Sequence, residues 1–407
     1  MLRNIDISEL TVDMYVAEIT SDKSETMPKK KKGMIRDHRI ISKFIEIGIE
    51  RVVIDTEKGL DVPAANDKPE KRVLNQAVEE KIAQFKKLSS IEHQTLPLEW
   101  GSAKEIFRTA ASIILETKIA LLDGKAINIA YFDEAAKAIS NSIMRNKDAL
   151  TWLGKIRIKN NYLYEHSVNS ATLMGIFAQA QGLNITQIQH CITGALLHDL
   201  GQTHIQEEFF ERAGPLSLDE FEEVKQHVNF GVDIIEDEKD IHPITKNIIY
   251  EHHERYDGSG YPQGLKGEDI SLFGRMFAIV DTYDALTNNR NYQAATPSSL
   301  AMRTLLELSK THFDESLVHQ FIKCMGVYPT GTLTKLSNGL LAIVIAQNPG
   351  ATIRPMVKVI FNYKNNCYIE PFMIDLVKES SDLKIMNYED PDNYGINIDD
   401  FMPNEIH

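Results

Sequence analysis

The stretch QIQHCITGALLHDLG, residues 187–201, repeats apolar side chains at intervals of three and four and then ends on His198 and Asp199. That spacing predicts a helix with one buried face. A polar pair at the end of such a helix is costly unless partners satisfy it, so the fold has to bring other groups to His198 and Asp199. Gly201 stands where a helix C-cap belongs, as does Gly182. The same period recurs in AKEIFRTAASIILETKIALL (103–122), YFDEAAKAISNSIMRN (131–146) and NYLYEHSVNSATLMGIFAQAQ (161–181). Between residues 101 and 325 there is almost no alternating strand pattern, so the middle of the chain reads as a helical bundle.

The ends read differently. MYVAEIT (14–20) alternates like a strand, RVVID (51–55) is a second strand, and DHRIISKFIEIGI (37–49) between them has helical spacing. Residues 56–75 and 87–98 are polar and contain proline, the composition of a tether. GTLTKLSNGLLAIVIAQN (331–348) holds two β-rich runs joined by Ser-Asn-Gly, a hairpin signal, and PMVKVIFNY (355–363) and CYIEPFMIDL (367–376) continue it. The expected fold class is mainly α: a helical domain at 99–326, between a small α+β regulatory module with its linker at 1–98 and a small β-rich module at 327–407.

With 407 residues, 43% of them hydrophobic and 25% charged, the composition is that of a soluble multidomain protein. The most apolar run, GLLAIVIA (339–346), is far too short to span a bilayer, and MLRNIDISEL lacks the basic and apolar regions of a secretory signal. Cys191, Cys324 and Cys367 are widely separated and form neither a disulfide framework nor a zinc knuckle, so a reducing cytoplasm is the expected location. Cys191 lies in an apolar run and reads as core. A net charge of −14, from 44 basic and 58 acidic residues, argues against non-specific nucleic-acid binding. An anionic substrate would need positive charge supplied locally, by metal or by a few placed side chains. The basic run PKKKKG (28–33) reads as a solvated loop.

Five of the thirteen histidines, His166, His198, His227, His252 and His253, lie in or beside helical segments of the middle region. Two of them open the segment EHHERYDGSGYP (251–262), which suits neither a core helix nor a plain surface loop. Asp281 adds a carboxylate inside the apolar run RMFAIVDTYDALT. Imidazoles and carboxylates converging from several helices are how bundles build metal sites. Five imidazoles with Asp199 and Asp281 are too many for one tetrahedral ion and suit two metals sharing a bridging carboxylate. Taken singly, each residue has a plainer reading as a hydrogen-bonded helix residue, with Asp281 paired to Arg275 or Lys246. His190, His204, His242, His312 and His319 are left in that class.

The motifs HD (198–199), HHE (252–254) and DGSGYP (257–262) resemble those of the HD-GYP subgroup of the HD phosphohydrolases. EHS (165–167), GPLS (214–217), QHVNFG (226–231) and RMFAIVDTYDALTNNR (275–290) agree with it, and the likeness covers about 145–325. SELTVDMYVAE (8–18) and IGIERVVIDTEKG (47–59) resemble the small uncharacterised module that often precedes HD-GYP domains in bacteria. The resemblance implies an enzyme that hydrolyses a cyclic dinucleotide, chiefly cyclic di-GMP with cyclic GMP–AMP as a second possibility, to a linear dinucleotide or a mononucleotide. It implies metal ligands His166, His198, Asp199, His227, His252, His253 and Asp281, with Asp199 bridging and Asp199 and His198 carrying the catalysis. An imidazole-rich site with some carboxylate suits iron or manganese, and zinc stays a third candidate. The Gly260-Tyr261-Pro262 loop lies beside the metals and offers a surface for a protein partner; a homodimer is possible.

The chain departs from the family at a few positions. Gln202 replaces the lysine that usually follows HD-Ile/Leu-Gly, Gln293 replaces a second basic residue, and Arg290 is kept. These three, with Tyr261, are the expected substrate contacts. Tyr162 stands where some members carry a glutamate that helps bind a third metal, so two metals and a weaker hold on phosphate are expected. The competing reading is a cyclic-dinucleotide sensor that turns over slowly and signals through its terminal modules. A mononucleotide-cleaving HD enzyme fits less well with the intact GYP segment.

Overall fold

The computed structural model describes residues 2–7, 10–11, 14–20, 33–36, 44, 51–60, 79, 82, 92–155, 162–206, 208–212, 214–236, 238, 241–288, 296–348 and 350–401. The chain divides into two compact units, Met1–Glu70 and Lys71–His407.

In the first unit β1 (Leu2–Asp6), β2 (Tyr15–Thr20), β3 (Gly33–Met34) and β4 (Arg51–Asp55) form an antiparallel sheet in the order β1-β4-β2-β3. Ile5, Met14, Val16, Val52, Ile54 and Phe44 make its core. Most of the helix expected at 37–49, and the basic run at 28–32, lie outside the described residues.

The second unit opens with α1 (Leu96–Leu122) and α2 (Ile129–Leu153), which pack on each other. The helix begins inside the segment read as tether. Pro97 falls in its first turn, where the missing N–H is no loss, so a residue that looked like a linker starts the bundle. Glu99 and Arg145 tie the two helices in a fully buried fork: Nε to Oε2 at 2.6 Å and Nη2 to Oε1 at 2.8 Å, with the Ser142 hydroxyl donating to the same carboxylate. Next come α3 (Tyr162–Ala180) and α4 (Ile185–Leu197), whose N-terminus is held by a capping box between Asn184 and Gln187. Short α5 (Glu208–Glu211), α6 (Leu218–Lys225), α7 (His227–Glu236) and α8 (Pro243–Glu251) follow. Then α9 (Leu272–Thr287), α10 (Ser298–Leu308) and α11 (Glu315–Met325) complete the helices. Gly182 has φ +76° just past α3, as a C-terminal cap requires. Gly201 does not cap α4: it sits within a 3₁₀ turn, Leu200–His204, without positive φ.

The chain ends in an antiparallel sheet of β5 (Leu333–Leu336), β6 (Leu340–Ala346), β7 (Met356–Asn362), β8 (Cys367–Asp375) and β9 (Ile385–Tyr388), ordered β8-β7-β6-β5-β9. The Ser-Asn-Gly turn brings Leu333 opposite Ile343, with Gly339 at φ +85°. Leu333, Leu341 and Ile343 join Trp152, Phe177 and Phe321 in one buried core, so sheet and bundle share an interior. Cys191 is fully buried and its thiol is pushed up to about 12, which makes it packing and not chemistry. No helix among the described residues is long and apolar enough to cross a membrane.

Candidate metal centre

Three histidines reach the same point by the same local device. His198 follows the last residue of α4, His227 follows α6, and His252 follows α8. The last turn of a helix leaves carbonyls without intrahelical donors. Each of these rings turns its Nδ1 to such a carbonyl three residues back: Ala195 at 2.7 Å, Val224 at 2.6 Å and Ile249 at 2.8 Å. A carbonyl can only accept, so Nδ1 carries the hydrogen and Nε2 keeps a lone pair aimed into the site. This is the orienting arrangement that metal-binding imidazoles use.

Those lone pairs converge. His227 Nε2 and His252 Nε2 are 3.2 Å apart with no hydrogen left to share, and His198 Nε2 is buried with no hydrogen-bond partner. Buried polar atoms are almost always paired, and facing lone pairs repel until a cation sits among them. The donor set therefore fits divalent metal. Two groups of potential ligand atoms are brought together among the described residues, His166–His198–Asp199 and His227–His252–His253.

Asp199 lies between the groups. Its Oδ2 is 3.3 Å from His198 Nε2 and 4.0 Å from His166 Nε2, while its Oδ1 is 3.6 Å from His227 Nε2. Each oxygen faces one cluster. Asp281, from the middle of α9, is 3.1 Å from His166 Nε2 and 3.7 Å from His198 Nε2, and so sits on the first cluster. Burial alone would raise both carboxyls, but the imidazole surroundings hold both well below the usual carboxylate range, the charged His166 leading for Asp281. His252 is driven down to about 3 and His253 is also lowered, by burial and by the neighbouring rings. Both are neutral and able to ligate at any physiological pH. Arg275, the plainer partner considered for Asp281, pairs instead with Asp314 at 2.8 Å.

His166 differs from the rest. Its Nδ1 lies 2.7 Å from Asp284, a second carboxylate one helical turn after Asp281. Burial opposes its charge, but the bracketing carboxylates Asp281 and Asp284 win and raise it to about 10. The metal-free ring is thus an imidazolium at neutral pH, and a metal taking its Nε2 must displace a proton. Metal uptake is expected to release one proton from His166, with affinity falling about tenfold for each pH unit below 10 on this account. Calorimetry of manganese binding in buffers of different ionisation enthalpy measures that proton directly.

The segment EHHERYDGSGYP is held by its glutamates. Glu254 accepts the backbone N–H groups of Gln263, Gly264 and Leu265 at 2.8, 3.2 and 2.9 Å, and Glu251 accepts the backbone N–H of Ser271 at 2.9 Å. The Arg255 guanidinium donates to the carbonyls of His252 and Glu254. Tyr261 N–H donates to the His253 carbonyl at 3.2 Å, and a Cβ on Gly260 would collide with the backbone of His253, Glu254 and Arg255. Glycine is required because the loop lies directly on the turn that presents the histidines. The Tyr261 ring then stands 4.7 Å from His253, with the Lys225 ammonium 5.5 Å above it.

Gln202 is in the 3₁₀ turn after Asp199, and its side-chain carbonyl is buried without a partner. Arg290 and Gln293 lie outside the described residues, as does the side chain of Tyr162. His190 stacks on His242, which caps α8 by accepting from Ile244 N–H, and His204 stacks on Phe230. The sequence reading passed over Asp284, although its spacing from Asp281 puts both on one helix face. It also passed over Lys118, a buried lysine of α1 whose charge interacts with Asp199; α1 packs against the 3₁₀ turn from outside the motif-bearing region.

Residues 155–317, the stretch that carries this histidine–aspartate centre, match the family model for the HD domain. Residues 2–132 match the model for the domain of unknown function DUF3391, so the match to this module precedes the HD-domain match along the chain. It is 29% identical over 401 residues, 96% of this chain and 92% of the relative, to the cyclic di-GMP phosphodiesterase PA4108 of Pseudomonas aeruginosa. It is 34% identical over 164 residues, 39% of this chain, to a cyclic di-GMP phosphodiesterase of Thermotoga maritima, of which it spans 44%. Among solved structures it is similar to Bd1817, an HDG"Y"P protein from Bdellovibrio bacteriovorus, with TM-score 0.49 and 19% identity, covering 79% of this chain and 98% of that one.

Proposed function

We propose that this chain is a metal-dependent phosphodiesterase that hydrolyses a cyclic dinucleotide, cyclic di-GMP first and cyclic GMP–AMP second, to a linear dinucleotide or mononucleotide. The observation that carries the reading is Asp199, whose two oxygens face two separate clusters of imidazole nitrogens. Similarity to PA4108 along nearly the whole chain supports the substrate class. His166, His198, Asp281 and one oxygen of Asp199 would hold one metal; His227, His252, His253 and the other oxygen would hold the second. Iron or manganese suits so many imidazoles with so few carboxylates. When bound, a metal pair supplies a water whose pKa falls from ~15.7 toward ~7 and a cationic seat for the phosphoryl oxygens.

The chain's own residues do the rest. Asp199, Asp281 and Asp284 bring three negative charges against two dications, so the centre stays attractive to a phosphodiester in a chain of charge −14. Tyr261, whose hydroxyl burial keeps protonated, offers a ring face beside His253 for a base to stack on. Lys225 brings an ammonium within 5.5 Å of the same ring. Incubating manganese-loaded chain with cyclic di-GMP and separating the nucleotides tests the reading. Linear product is expected, and intact substrate with a fully loaded centre would contradict it.

By the family resemblance Gln202 stands where a lysine is expected, which would leave the phosphate side short of one positive charge. Gln202→Lys is expected to tighten cyclic di-GMP binding at low salt by roughly tenfold, the effect of a charge-assisted hydrogen bond of about 1.5–3 kcal/mol. The gain should shrink at high salt if the ammonium stays solvent-accessible. Equal binding by variant and wild type at low salt would mean that the metals alone hold the phosphate.

A further inference from the structure

A cavity of about 670 Å³ opens between the C-terminal part of α2, the end of α3, α11 and the end of β6, and none of the residues of the metal centre lines it. It lies where α2 breaks its helical path at Asn146, whose side-chain amide donates to the Gln94 carbonyl at 2.9 Å. Its volume falls within the range of small-molecule sites, about 300–1,000 Å³.

The charge on its walls runs against the charge of the chain. Lys147, Lys323, Arg145 and His93 line it, with Asp148 as the one lining carboxylate. Arg145 is engaged by Glu99. Asp148 accepts the Thr330 hydroxyl at 2.6 Å, and burial raises its carboxyl, which weakens its hold on negative charge. Lys147 and Lys323 come from two different helices, α2 and α11, and converge on a recess in a protein of net charge −14. Placed cations in a concave site concentrate anions. The neutral lining includes the side-chain amides of Gln179 and Gln347, each with donor and acceptor atoms. Gln347 donates to the Tyr328 carbonyl at 2.7 Å while its own carbonyl oxygen is buried with no partner.

We propose that this cavity is a second ligand site, distinct from the metal centre, for a nucleoside phosphate of mononucleotide size. Its phosphate is held by Lys147 and Lys323, and its base lies against the amides of Gln179 and Gln347.

The test is equilibrium dialysis of GMP against the full chain carrying Asp199→Ala, which takes the metal centre out of the readout. One equivalent of GMP is expected to bind, at least tenfold more weakly when Lys147→Gln and Lys323→Gln are added, with inorganic phosphate competing only at much higher concentration. Lys323 is exposed, so Lys323→Gln alone keeps the comparison open if the combined variant melts early. Absence of saturable GMP binding, unchanged affinity in a well-folded lysine variant, or phosphate competing as well as GMP would each overturn the proposal.

Discussion

Asp199→Ala is expected to reduce bound metal to well under one ion per chain and to lower phosphodiester hydrolysis about a thousandfold or more. The reason is geometric. Its two oxygens face His198 on one side and His227 on the other, so one truncation takes a ligand from each metal. Asp281 touches only the first cluster, and Asp281→Ala should spare metal at His227, His252 and His253. The folded chain should survive Asp199→Ala, because His252 and His253 are neutral and His166 is held by Asp284, and Asp199→Asn keeps the side-chain shape as a second check. Elemental analysis beside a circular dichroism melt separates loss of metal from loss of fold. Two ions per chain in a folded Asp199→Ala protein would place the bridge elsewhere.

Gly201→Ala is expected to cost about 2–4 kcal/mol of stability and to halve metal content or worse, although the change adds only one methyl group. A Cβ at Gly201 would run into the carbonyl of His227 and the backbone nitrogen of Gly231. Neither is a side chain that can swing aside, so the turn carrying Asp199 must lift off α7, which begins with His227. Gly231→Ala is the control: its Cβ would meet Ile249 Cγ2 at 3.3 Å and the His198 carbonyl at 3.7 Å, contacts that a small adjustment relieves. Urea unfolding of the two variants, with metal content, measures the difference. Equal stability would mean that α7 and the turn are not in tight contact.

The contrast between these glycines explains what could be read from the sequence. Helical periods at 103–122, 131–146, 161–181 and 187–201 are local, and α1, α2, α3 and α4 lie on those stretches. Ser-Asn-Gly marked a hairpin because its turn chemistry is local too. The five histidines and two aspartates each stand inside a recognisable motif, and the structure brings these side chains together. Distance in sequence hid the rest. Gly201 looked like a cap, and only the approach of α7 shows that it is there for contact. Pro97 looked like linker because a proline ends helices as readily as it opens them. Asp284 was passed over since its role depends on the orientation of His166, 118 positions away in the chain. Lys118 comes from α1, which carries no motif, and the cationic cavity arises only where α2, α3, α11 and β6 pack together.

Metal per chain, titrated into metal-free protein with hydrolysis of cyclic di-GMP followed at each addition, tests the central claim most directly. Binding is expected to saturate at two ions per chain, and linear product is expected to appear as the second ion binds, since Asp199 faces both clusters. Saturation at one ion with full hydrolysis, or hydrolysis without metal, would contradict the account.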